Sequence, residues 1–260
     1  MLDPRLAEFA TAYSLHRQAE GRQLSDQELL SLPWLRRGPQ AGQWAVRSRT
    51  YEAFVRHVLG AMAGPLTVLD LGAGNGWLSH RVAELGHRAI ALDIRADAIE
   101  GLGAADALVR LYPDRIERLT ASFDSIPLPD DSVDVAVFNA ALHYATDLPR
   151  SLGEAARVTR RGGRIAILDS PFYRGEADGL AMQAEKQRYS AATFGHHARE
   201  LMALPFIEFL TRERLAAASP LRWTRYRVPY PVSYELRPLV ALLTARRRPS
   251  RFDLWVAQAP

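Results

Sequence analysis

Residues 67–76 read Thr-Val-Leu-Asp-Leu-Gly-Ala-Gly-Asn-Gly, an apolar run that ends in three alternate glycines. Such a run entering glycine predicts a buried strand that turns sharply into a helix. Gly72, Gly74 and Gly76 permit the turn and leave bare N–H groups at the helix start, where nucleotides are commonly held. A dinucleotide site spaces its glycines G-x-G-x-x-G/A, with a small last residue for close helix–strand packing. Here that place is taken by Trp77, and Gly76 comes one position early. The turn therefore suits a ligand with no pyrophosphate to seat on the helix.

Two carboxylates flank it. Asp70 lies two residues before Gly72, near the end of the strand, where it could face a cationic group. Asp93 closes the next apolar run, Ala89-Ile90-Ala91-Leu92-Asp93. In an open α/β sheet an acid at that place accepts hydrogen bonds from a ribose diol. Either acid alone reads as an ordinary strand-end residue; the pair around one glycine turn points to a cofactor.

Outward from this stretch, short apolar runs alternate with amphipathic ones. Residues 77–86, 96–112 and 148–160 have helical patterning, and residues 88–94, 116–123, 133–140 and 164–170 read as strands, with a turn expected at 160–163. Five strands alternating with helices predict an α/β, doubly wound, Rossmann-like sheet. Two late strands, within 222–230 and 251–258, bring the sheet to seven, mostly parallel with a late antiparallel strand. Residues 1–64 read as an N-terminal helical cap, with a capping box at Ser25-Asp26-Gln27-Glu28 and a helix from Trp44 to Ala63. Residues 65–170 form the binding core, and 171–260 hold a lid insertion after strand five and the remaining strands.

The segment from Val68 to Ile94 resembles the first half of class I S-adenosylmethionine-dependent methyltransferases, in the style of the ubiquinone-biosynthesis C-methyltransferases. Residues 122–167 are similar to the same group from the third strand through the fifth. The resemblance implies S-adenosylmethionine as cofactor and S-adenosylhomocysteine as product. It implies that Gly72, Gly74, Asn75 and Gly76 pack on the methionine portion and that Asp70 holds its ammonium directly or through water. Asp93 would bind the ribose hydroxyls and Ile94 the adenine face. Members commonly carry an acid where this chain has Ser122, which departs from the pattern; Phe123 would offer its backbone N–H to the ring. Asn139 falls where the chain passes the sulfonium, and His143 matches a family histidine on the acceptor side, with an ordinary pKa suited to a general base. An arginine of the N-terminal segment, Arg49 or Arg47, would reach the cofactor carboxylate. Trp34, Trp44, Tyr51, Tyr173, Tyr189, Phe194, His196 and His197 form the remaining candidate lining. Asp169-Ser170-Pro171-Phe172-Tyr173 is similar to the motif of amino-methylating members, but follows the fifth strand instead of the fourth, so Pro171 reads as a strand terminator.

Composition narrows the partners. There are no cysteines and no spaced metal ligands, so no metal is expected. The net charge of +4 raises the question of nucleic acid, yet 32 of the 33 basic residues are arginines spread along the chain, as a compositional bias would give. No apolar run is long enough to span a bilayer and no secretory signal is visible, so no membrane partner is expected and the default location is cytoplasmic. A small-molecule methyl acceptor leads; an RNA acceptor and a non-catalytic cofactor-binding regulator are the alternatives.

Overall fold

The computed structural model describes residues 4–19, 24–194 and 204–260. Strands β1 (Thr67–Leu71), β2 (Arg88–Asp93), β3 (Ile116–Thr120), β4 (Val133–Asn139), β5 (Thr159–Leu168), β6 (Thr224–Tyr226) and β7 (Leu254–Gln258) form one sheet ordered β3-β2-β1-β4-β5-β7-β6. The first five run parallel; β7 pairs antiparallel with both β5 and β6. Strand order reverses between β1 and β4, so a crevice opens at their C-terminal ends, the place where such sheets bind ligands.

The parallel strands are buried on both faces and their side chains alternate between two cores. Val68, Val135 and Val137 face one core with α3 (Ala41–His57) and α4 (Trp77–Glu84); Leu69, Leu71, Ala136 and Phe138 face the other with α6 (Leu148–Val158). Trp77 fills the first core, 5.5 Å from the ring of Trp44 and 5.9 Å from that of Tyr51. The bulky residue at the start of α4 thus joins the N-terminal helices to the sheet.

Several boundaries differ from the sequence reading. The expected helix at 96–112 is a 3-10 turn, Leu102–Ala105, followed by α5 (Asp106–Leu111). The Asp97 carboxylate takes the N–H groups of Ile99, Glu100 and Gly101, which competes with helix formation. The turn expected at 160–163 lies within β5, where three extra residues against β4, between the pairs Val133–Thr159 and Val135–Arg164, are absorbed around Gly162 at φ 79°. The helix expected from Trp44 to Ala63 begins at Ala41 and stops at His57 before a 3-10 turn. The capping box forms: the Ser25 side chain accepts from the Glu28 N–H, and the Glu28 carboxylate accepts from the Ser25 N–H.

After β5 come α7 (Glu176–Phe194), a helix at Arg212–Ala218 capped by Thr211, and two short helices, Val232–Glu235 and Arg237–Leu243. The first helix, α1 (Pro4–Ala19), packs through Phe9 on Leu204 and Phe206 in a small separate cluster. No helix among the described residues is long and apolar enough to cross a membrane.

Candidate functional site

The C-terminal ends of β1, β2, β4 and β5 surround a cavity of about 370 Å³. Its floor is the glycine turn. The N–H groups of Gly72 and Ala73 donate to Leu92 O, that of Gly74 to Asp93 Oδ2 at 2.8 Å, and that of Gly76 to Ala73 O. The turn therefore offers no row of bare donors, contrary to the sequence expectation; the N–H groups of Gly72, Ala73 and Gly74 fasten it to β2, and that of Gly76 closes the turn on itself. What the glycines supply is conformation and proximity. Gly72 has φ 76°, and a Cβ there would lie 2.5 Å from the Cβ of Ala141. Gly72, Gly74 and Asn75 line the cavity, whereas Gly76 sits behind it against Ala105. The Asn75 side chain accepts from the Trp77 N–H at the start of α4.

Asp70 is also behind the wall, not in it. It is buried, Oδ2 accepts from Ser79 Oγ at 2.9 Å, and Oδ1 has no hydrogen-bond partner among the described residues. Burial pushes its pKa up to about 7. The strand pleat turns Asp70 towards α4, beneath the glycine turn, so of the two expected ways of holding an ammonium, directly or through water, its place off the wall favours the indirect one. Asp93 does face the cavity. Its Oδ1 accepts from the Arg95 N–H and its Oδ2 from Gly74, both at 2.8 Å, leaving about half of a carboxylate's roughly four acceptor sites for a ligand. Burial raises its pKa, with Arg95 opposing.

Ile94, Ser122 and Phe123 continue the wall, with the Phe123 ring edge-on to Phe138 at 5.6 Å. Where Ser122 replaces an acid, the nearby wall acid is Asp124, and its carboxylate is engaged by Ser151 and Thr146.

The opposite wall belongs to β4, β5 and α3. Asn139 ends β4 with a buried Oδ1 that has no partner among the described residues. Asp169, just after β5, is 6% exposed; its Oδ1 accepts from Thr50 Oγ1 at 2.8 Å and its Oδ2 is unpartnered. Ala140 and Asp169 both adopt positive φ, 54° and 50°, a strained backbone concentrated at the cavity rim. Arg47 lines the cavity, 4.8 Å above the Trp44 ring, and its charge favours ionised Asp169 against burial.

Arg49 does not reach the site. It lies about 200° around α3 from Arg47 and donates to Pro229 O. Trp34, Tyr51, Tyr173 and Tyr189 are absent from the wall as well: Trp34 lies under the Arg81 guanidinium, Tyr51 meets Trp77 edge-on, Tyr173 receives a hydrogen bond from Arg247, and Tyr189 is exposed. His196, His197 and the Phe194 side chain lie outside the described residues.

His143 is in the wall, on the 3-10 turn Leu142–Tyr144, with Nδ1 3.4 Å from Ser170 Oγ. Burial, with Lys186 and Arg47 nearby, lowers its pKa to about 3. It is therefore neutral at physiological pH with a weakly basic ring, not the well-matched base the sequence suggested. Above it Leu6, Phe9 and Tyr13 of α1 close the cavity with Tyr144 and Phe206, and the Tyr13 and Tyr144 hydroxyls are 3.0 Å apart. Only helical spacing marked these α1 residues in the sequence. Among the described residues no cluster suited to a metal is present.

A sheet ordered 3-2-1-4-5-7-6 with its seventh strand antiparallel, a glycine turn after the first strand and an acid closing the second define a class I S-adenosylmethionine-dependent methyltransferase fold. Residues 69–167 match the family model described as a methyltransferase domain, and S-adenosylmethionine is the cofactor of the class this segment resembles. A malonyl-[acyl-carrier protein] O-methyltransferase of Yersinia pestis is 36% identical over 134 residues, 50% of this chain and 47% of that protein. A ubiquinone/menaquinone biosynthesis C-methyltransferase of Hahella chejuensis is 32% identical over 124 residues, 46% and 49% of the two chains. The aligned region thus spans about half the length of these relatives. The geranyl diphosphate C-methyltransferase of Streptomyces coelicolor, solved with Mg2+, geranyl diphosphate and S-adenosylhomocysteine, shares the fold with a TM-score of 0.59 at 16% identity, over 86% of this chain and 85% of its own.

Proposed function

We propose that the protein moves the sulfonium methyl of S-adenosylmethionine to a nucleophilic atom of a small-molecule acceptor by in-line displacement. The observation that carries this is one cavity with two chemically different walls. On one side stand Gly72, Gly74, Asp93, Ile94 and Phe123; on the other stand Asn139, His143 and Asp169 beneath the aromatic cover of α1.

The first wall fits the cofactor. The Asp93 carboxylate has acceptor sites left for a ribose diol, and Ile94 and Phe123 give apolar faces for a flat ring; from the opposite wall the unpartnered Asn139 Oδ1 favours a cationic or N–H-bearing group of the same ligand. Arg47 would receive the cofactor carboxylate. The bound cofactor supplies a methyl group already activated by sulfonium. The protein then has to align the acceptor and exclude water, and positioning alone is worth on the order of 7–11 kcal/mol.

His143, neutral and weakly basic, orients an acceptor as a hydrogen-bonding group and is not the principal proton sink. Asp169 Oδ2, buried and unpartnered, is the stronger candidate to take a donor group of the acceptor. Among the relatives, one name states a malonyl-[acyl-carrier protein] acceptor and another ubiquinone/menaquinone biosynthesis, neither of them a nucleic acid. Incubation with methyl-labelled S-adenosylmethionine and a metabolite extract tests the proposal. Label should enter the low-mass fraction and survive nuclease and protease treatment; label found only in RNA, or nowhere, contradicts it.

A further inference from the structure

Helix Arg237–Leu243 is inverted relative to the usual surface helix. Leu236, Leu239, Val240 and Leu243 recur at i, i+3, i+4 and i+7, the spacing of a face that normally turns to the core. All four are exposed, Leu243 at 77%; Leu242 is 67% and the nearby Val232 73% exposed, while Ala241 on the opposite side is buried. Six large aliphatic side chains within a dozen residues thus stand in water, a grouping that marks an interaction surface.

The charge around it identifies the partner. Residues 232–251 contain five arginines and one acid, Glu235. Glu235 is paired with both Arg251 and Arg227, Glu185 of α7 with Arg247, and Asp178 accepts the Arg248 N–H. Arg246 and Arg248, leaving the end of the helix, are exposed and have no ion-pair partner among the described residues. An apolar ridge edged by uncompensated arginine matches an anionic lipid surface: the aliphatic side chains enter the acyl boundary while guanidinium groups meet phosphate. A second copy fits poorly, because a two-fold contact of this ridge with itself would bring arginine rim to arginine rim.

We infer that the Val232–Arg248 ridge is a reversible docking site for anionic membranes, which the chain touches without crossing. The test is flotation of the full chain with vesicles of phosphatidylcholine alone or mixed with phosphatidylglycerol. The wild type should float with the mixed vesicles at low salt, less at high salt, and remain unbound with phosphatidylcholine alone. Leu242→Glu/Leu243→Glu should cut partitioning by more than about tenfold, since each aliphatic chain kept from the bilayer forfeits its transfer free energy. Arg246→Glu/Arg248→Glu should reduce it as well. Both pairs are exposed, so unchanged melting temperatures and an unchanged affinity for S-adenosylmethionine serve as folding controls. Wild type left unbound by mixed vesicles, equal flotation on neutral ones, or wild-type partitioning in the leucine variant overturns the inference. So does a concentration-dependent dimer that Leu243→Glu dissolves while vesicles bind nothing, which would assign the ridge to a second copy.

Discussion

Asp70 keeps its proton to a higher pH than an ordinary carboxylate. Its pKa rises from 3.8 to about 7 in the fold, because burial outweighs the hydrogen bond from Ser79. Between those values the folded state keeps a proton that the unfolded state releases. The associated stability is therefore full below 3.8 and is lost as pH rises through about 7. Asp70→Asn keeps the shape and an acceptor for Ser79 but cannot ionise. It should raise the melting temperature at about pH 8 more than at about pH 5, by an amount on the order of a few kcal/mol in stability. Thermal melts of both proteins across that range check this; an equal shift at both ends contradicts it. His143 runs in the opposite direction. With its pKa lowered from 6.5 to about 3, its stability term is intact above 6.5 and is lost as pH falls towards 3. Nitrogen NMR of the His143 ring should show the neutral form throughout pH of about 5 to 8; a titration near 6.5 would contradict the burial account and restore it as a matched base. The sequence located both residues but could not tell their surroundings. Asp70 turns beneath the glycine turn because of strand pleat, and Arg47 replaces Arg49 because of helix phase; both are angular facts that spacing alone left open.

Among the elements, α1 lies over the site and outside the two main cores. It meets the remainder through a satellite cluster around Phe9, Leu204 and Phe206, apart from the two cores that clasp the sheet. Elements with few buried contacts open at low free-energy cost. Hydrogen exchange should therefore be fast in α1, relative to β1 and β4, and should slow on addition of S-adenosylhomocysteine, because Phe9 and Tyr13 cover the cavity. Unchanged α1 exchange with saturating ligand would remove it from the site. The parallel strands were readable because burial on both faces makes each a short apolar run, as in residues 67–71 and 133–138. The region after β2 was not, since an Asp97 side chain competing for backbone donors leaves helical patterning unchanged. Asp169 escaped notice as a site residue for a related reason. Residues 169–173 read as a strand end because they follow the fifth strand, and the positive φ and unpartnered oxygen that single out Asp169 leave no mark in the sequence.

At the scale of the whole molecule, the proposed reading assigns the cofactor to the glycine turn and Asp93 and the acceptor to α1, α3 and the segment after β5. Those parts lie outside the matched residues 69–167. The excess of arginine, read from composition as a dispersed bias, acquires a local meaning only when the fold sets Arg246 and Arg248 beside an outward apolar helix. The core itself makes the central claim, and calorimetric titration of the wild-type protein tests it most directly. S-adenosylmethionine and S-adenosylhomocysteine should each give a saturable one-site isotherm, with none for NAD, because Trp77 and the internally bonded turn leave no seat for a pyrophosphate. Absence of binding at millimolar S-adenosylmethionine, or saturable binding of NAD in its place, would contradict the account.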